Sequence, residues 1–87
     1  MPEFKIEING FKYQYYDNLL NKKTIIFIHG LGSNKDPMTK FFSDYLEGFR
    51  CIFLDLPAHN KLPSYDFTKL EDFSEYINQF IKYLKII

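Results

Sequence analysis

The sequence predicts an α/β fold in which an antiparallel hairpin leads into a strand, helix, strand, helix unit, with helices on both faces of one sheet. Three observations predict it. Apolar and polar residues alternate on both sides of Asn9-Gly10, the period-2 pattern of paired strands. Two short apolar runs, Thr24 to Ile28 and Cys51 to Leu54, flank a segment whose large side chains recur at helical spacing. A second helical segment follows a Thr68-Lys69-Leu70-Glu71 start signal.

Phe4, Ile6 and Ile8 share one face of the first strand, and Phe11, Tyr13 and Tyr15 resume the pattern in the second. The hairpin therefore covers residues 4–16, turned by Asn9-Gly10, which readily take the positive φ values of a type I′ turn. Residues 17–23 read as a polar connection to a strand at 24–28. Asp36-Pro37 then offers a cap followed by proline at the first helical position. Met38, Phe41, Phe42, Tyr45 and Leu46 carry a helix over 37–47, with Gly48 as its stop. A strand at 50–55 follows, parallel to the one at 24–28 by the crossover rule. After a turn-rich loop, Leu70, Phe73, Ile77, Phe80, Ile81 and Leu84 form the apolar stripe of a helix over 69–84.

Eighty-seven residues suit one small domain. Eleven basic and eleven acidic residues cancel and are interspersed, so no basic stripe argues for nucleic acid or an anionic membrane. Ten of the eleven basic residues are Lys, with Arg50 alone as Arg, a balance that reads as codon bias. The N-terminus lacks the basic-then-apolar layout of a secretory leader, and no apolar run approaches the roughly 20 residues that span a bilayer. The expectation is a cytoplasmic protein without membrane or nucleic-acid partners. Cys51 is the only cysteine and reads as a small buried hydrophobe in a core strand. His29 and His59 stand on separate loops with no further ligand at metal spacing, so neither metal nor cofactor is expected.

The most informative chemistry follows the run at 24–28, which opens directly into His29-Gly30-Leu31-Gly32. A buried strand ending in a glycine turn can aim backbone N–H groups at a site. This segment resembles the HGxG oxyanion-hole turn after the third strand of α/β-hydrolases, the family of serine esterases, lipases and thioesterases. Asp55-Leu56-Pro57-Ala58-His59-Asn60 is similar to that family's acidic-x-Pro-Gly-His-Gly segment after the fourth strand, with Ala58 and Asn60 where the family has glycine. Ser64 stands for the serine that follows in the family. The segment from Leu70 to Leu84 resembles the helix before the fifth strand, so the similarity covers nearly the whole chain.

The resemblance implies that the Leu31 N–H is an oxyanion donor, with Gly30 and Gly32 allowing close approach or positive φ, and His29 orienting the loop. It also implies a GxSxG nucleophile elbow after Lys85-Ile86-Ile87, with the acid and the base later still. No such elbow occurs in these residues. The reading is therefore an N-terminal piece of an α/β-hydrolase, truncated before its nucleophile and inactive alone. A makeshift triad of Ser33 or Ser64 with His59 and Asp55 is the one local substitute for the missing groups. In the resembled fold the strand at 24–28 also pairs with the fifth strand. Without that neighbour its open edge invites self-association or a complementing C-terminal fragment. The alternative function is a non-catalytic module that binds a protein or ligand through this edge.

Overall fold

Positive φ at both Asn9 (49°) and Gly10 (84°) closes the hairpin of β1 (Glu3–Ile8) and β2 (Phe11–Asp17) with the turn that its sequence demands. The structure is a computed structural model that describes residues 1–85. Four further elements follow: β3 (Thr24–Ile28), α1 (Lys35–Phe41), β4 (Arg50–Leu54) and α2 (Leu70–Leu84), with a 3₁₀ turn at Ser43–Tyr45 after α1. The sheet order is β1-β2-β4-β3, antiparallel except for the parallel pair β3 and β4. Ile28 aligns with Leu54, so the loops after these two strands leave the sheet side by side.

Each face of the sheet carries one helix. Tyr13, Tyr15, Ile52 and Leu54 meet Tyr76 and Phe80 of α2 in the buried core. Tyr13 stacks on Tyr76 with ring centroids 4.1 Å apart, and its hydroxyl donates to the Tyr76 carbonyl at 2.8 Å. On the opposite face Phe27 stacks on Phe53 at 4.6 Å and meets Phe42 at 4.7 Å. The aromatic surplus is thus core packing on two faces. Cys51 is fully buried, its Sγ 3.4 Å from the Tyr45 carbonyl oxygen, and burial pushes its thiol pKa up.

Several boundaries differ from the sequence reading. The first helix starts at Lys35 instead of residue 37, and Asn34 caps it by accepting the Asp36 N–H at 2.9 Å. Asp36 is freed for other work and accepts the Tyr16 hydroxyl. The helix ends at Phe41, not residue 47, because the chain tightens into the 3₁₀ turn. That geometry places residues three apart on one side, and Phe42 and Tyr45 both reach Phe27. Gly48 does not take positive φ and is not a helix stop of the expected kind. β4 ends at Leu54 and not Asp55, whose side chain is drawn into the polar cluster described below.

At α2 the helix opens at Leu70, and the expected Thr68–Glu71 box is replaced by Asp72. Its carboxylate accepts the N–H groups of Thr68 and Lys69, both at 3.0 Å. These bonds hold the Asp72 pKa below the usual carboxylate value. Leu70 is 83% exposed, because the face that meets the sheet runs through Tyr76 and Phe80. Lys85 closes α2 in the left-handed conformation, and Ile86 and Ile87 lie outside the described residues. No helix among the described residues is long and apolar enough to cross a membrane.

Candidate functional site

Two short turns of the same kind meet at the carboxyl ends of β3 and β4. In the first, the Ser33 N–H bonds the Gly30 carbonyl at 3.2 Å, and Gly32 takes φ +82° at the third position. This is the signature of a type II turn, which favours glycine there. In the second, the His59 N–H bonds the Leu56 carbonyl at 3.2 Å, with Pro57 second and Ala58 third at φ +67°. Ala58, where the resembled segment has glycine, therefore holds a backbone angle that glycine takes freely, at the strain of a Cβ in left-handed conformation.

The two histidines join these turns. The Leu56 N–H donates to His29 Nε2 at 3.0 Å, and the Gly32 N–H donates to His59 Nε2 at 2.8 Å. On the other side of each ring, Nδ1 lies 2.7 Å from the Gly30 carbonyl in His29 and 2.9 Å from the Pro57 carbonyl in His59. A carbonyl oxygen can only accept, so both rings are neutral with the proton on Nδ1. The ring centroids are 4.7 Å apart.

The four residues singled out at the first turn have different surroundings. Leu31 is 80% exposed, and its N–H has no hydrogen-bond partner among the described residues. His29 is buried and braces the turn. Gly32 is required by its φ. Gly30 does not take positive φ, and a Cβ there would meet nothing within 4 Å. Nothing within the described residues demands glycine at 30.

Asp55 and Lys35 form the base of the site, and both are fully buried. Asp55 accepts from the Lys35 N–H at 2.8 Å, Lys35 Nζ at 2.6 Å, and Gln14 and Asn60 side-chain amides at 3.0 Å each. Lys35 Nζ also reaches Glu3 at 2.8 Å and lies 4.6 Å from the centre of the Tyr16 ring. Burial works against the charge on Lys35, but the bonds to Asp55 and Glu3 outweigh it and its pKa is raised. Sequence reasoning missed Lys35 and Gln14. A lysine beside Asp36 and a glutamine on an alternating strand read as solvated, and neither carries a local signal of burial.

The makeshift triad is not assembled. Both His59 nitrogens are committed to backbone groups, Asp55 is filled by other donors, and Ser33 and Ser64 are exposed. Among the described residues no group of three or more His, Cys, Asp or Glu side chains is placed to hold a metal ion.

The chain carries the N-terminal part of an α/β-hydrolase fold. It superposes on a membrane phospholipase A with TM-score 0.83 and 21% identity, covering 93% of this chain and 27% of that one. A haloalkane dehalogenase from Agrobacterium tumefaciens matches with TM-score 0.83 and 16% identity, over 97% of this chain and 29% of that one. In sequence, 58 residues are 43% identical to a Haemophilus influenzae protein provisionally named 2-succinyl-6-hydroxy-2,4-cyclohexadiene-1-carboxylate synthase. That match takes in 67% of this chain and 23% of the relative, so the chain spans about a quarter of the relative's length. No family model matches the chain.

Proposed function

We propose that these residues supply the oxyanion side of an α/β-hydrolase active site, acting on an ester, thioester or similar acyl carbonyl. When such a carbonyl is attacked, negative charge develops on its oxygen, and a fixed N–H stabilises it without reorganising. Leu31 provides that N–H, His29 and Gly32 hold its turn, and Gly30 leaves open space before it. The observation that carries this reading is the unpartnered, exposed Leu31 amide on a turn braced from both ends by histidine. The phospholipase among the structural neighbours is a named precedent for acyl chemistry. No GxSxG sequence occurs in these 87 residues, so turnover requires a nucleophile, acid and base from outside them.

The test uses a chimera in which this chain replaces the matching segment of the Haemophilus relative, assayed with a short-chain nitrophenyl ester and with the relative's own reaction. Leu31→Pro is the informative variant. Proline is favoured at the second position of a type II turn, so it keeps the turn and deletes only the N–H. The expected result is a loss of roughly 10²- to 10³-fold in kcat, with KM little changed. A folded Leu31→Pro chimera with undiminished kcat overturns the reading.

A second reading rests on the sheet edge. Among the described residues β3 pairs on one side only, with β4, and no lysine or proline interrupts Thr24 to Ile28. We propose that this edge takes a further strand, from a second copy or from a complementing fragment. Light scattering on the 87-residue chain is expected to show self-association that ends when such a fragment is added. A stable monomer that ignores the fragment counts against it.

A further inference from the structure

We infer that His59 is a positioning residue for the oxyanion turn, one half of a reciprocal clasp in which each histidine holds a backbone N–H of the other's loop. His29, on the β3 loop, accepts the Leu56 N–H, while His59, on the β4 loop, accepts the Gly32 N–H. The inference rests on the oxyanion reading for its functional consequence only. The clasp is a matter of geometry and is tested separately.

The Gly32 N–H belongs to the central peptide of the Gly30–Ser33 turn. Type I and type II turns differ chiefly by a half-rotation of that peptide, which exchanges the directions of its N–H and C=O. By accepting the N–H, neutral His59 holds the type II form. It also leaves Leu31 as the one amide of the pair with nothing to bond among the described residues. A proton on His59 Nε2 turns that acceptor into a donor. The Gly32 N–H then faces a donor, and the rotated peptide, with the Leu31 carbonyl toward the ring, becomes the matching arrangement. The turn is thus poised between two hydrogen-bonded states, chosen by the ring.

Few charges face the pair. Asp55 Oδ1 lies 3.9 Å from His29 Nε2. Asp55 in turn is bound by Lys35 at the start of α1, and Lys35 by Glu3 on β1. Asp36 of α1 reaches the loop only through Asn60, at 3.4 Å. The groups against the His59 ring itself are the His29 ring, the Pro57 carbonyl and the Gly32 N–H. Protonation of His59 is therefore felt first by Gly32.

Nitrogen-15 NMR of the full 87-residue chain tests the clasp with no substitution at all. Long-range ring correlations at neutral pH are expected to show the Nδ1–H form for both histidines, and the Gly32 amide shift is expected to follow the His59 ring as it is acidified. An Nε2–H form for either ring, or a Gly32 amide that stays still while His59 titrates, overturns the inference. His59→Phe, checked for folding by the dispersed methyl signals of Ile52 and Leu54, is expected to raise Gly32 amide exchange by roughly tenfold. His59→Gln, whose amide oxygen restores an uncharged acceptor, is expected to restore protection and to flatten the pH response. Unchanged Gly32 exchange in folded His59→Phe also overturns it. In the chimera, His59→Phe is expected to lower kcat and His59→Gln to rescue it. If the NMR result holds while Leu31→Pro leaves kcat intact, the oxyanion reading fails and the clasp stands.

Discussion

Lys35 Nζ stands 2.6 Å from Asp55 Oδ2 with both side chains sealed from solvent, so the start of α1 is pinned beneath the loop that follows β4. Removing one member of a buried pair leaves the other charge uncompensated, which costs far more than the pair contributes. Asp55→Ala strands the Lys35 ammonium with only partly exposed Glu3 beside it, and is expected to destabilise the chain by about 3–5 kcal/mol. Lys35→Met leaves Asp55 with N–H donors from residue 35, Gln14 and Asn60, so a smaller loss, about 1–3 kcal/mol, is expected. Urea unfolding of both variants checks this order, and an equal or larger loss in Lys35→Met contradicts it.

The lone arginine has a structural task that a lysine cannot perform. Arg50 binds Asp17 with two bonds, Nε to Oδ1 at 3.2 Å and Nη2 to Oδ2 at 2.6 Å, and the Asp17 carboxylate is almost wholly buried. A lysine ammonium offers no planar fork to match a carboxylate. Arg50→Lys is expected to lower stability by about 1–2 kcal/mol, read as a drop in urea midpoint. No drop would place the pair among ion pairs of negligible worth.

Ala58 carries a glycine's backbone angle with an alanine's side chain. Left-handed backbone costs a non-glycine residue about 1–2 kcal/mol, and glycine returns part of that through its freer unfolded chain. Ala58→Gly is expected to raise stability by about 0.5–1 kcal/mol. The check is the melting temperature, which should rise and not fall.

Alkali should unfold the chain from the core outward. Burial raises the pKa values of Tyr13, Tyr15 and Tyr76, and the Lys35 pKa is raised by its carboxylate partners despite burial. Each of these groups keeps its proton to a higher pH folded than unfolded, so above the unfolded values the native state binds more protons. Stability is then fully present below about pH 10 and declines as pH rises toward the folded values. Urea midpoints at about pH 8 and about pH 11 check the sign, and tyrosine absorbance should show these rings ionising only as the chain unfolds.

Much of the fold was legible because its signals are local. Asn9-Gly10 marks a turn whose φ values few other residue pairs adopt, and the apolar run at 24–28 coincides with β3. The glycine turn after β3 was legible for the same reason, through Gly32 and its positive φ. Asp36 and Leu70 were misread, since each was assigned a role from its neighbours while distant residues decided its surroundings. Tyr76 was overlooked because its face of α2 is set by the aromatic rings of β2. His59 read only as a loop histidine and a member of a makeshift triad; one of its nitrogens lies against the nearby Pro57 carbonyl, and the other is taken by a glycine from another loop.

By itself the amino-acid sequence determined the hairpin, the alternation of strands and helices, and the glycine turn after β3, because alternation, helical spacing and turn geometry act over a few neighbouring residues. Tertiary structure alone decided that Lys35 and Asp55 are buried together, that Arg50 grips Asp17, and that two histidines exchange backbone partners. The Lys35–Asp55 pair and the histidine exchange exist only once the parallel pairing of β3 with β4 has brought their loops to one rim, and Arg50 meets Asp17 only through the antiparallel pairing of β2 with β4; once buried, each polar group must find its partner within the chain.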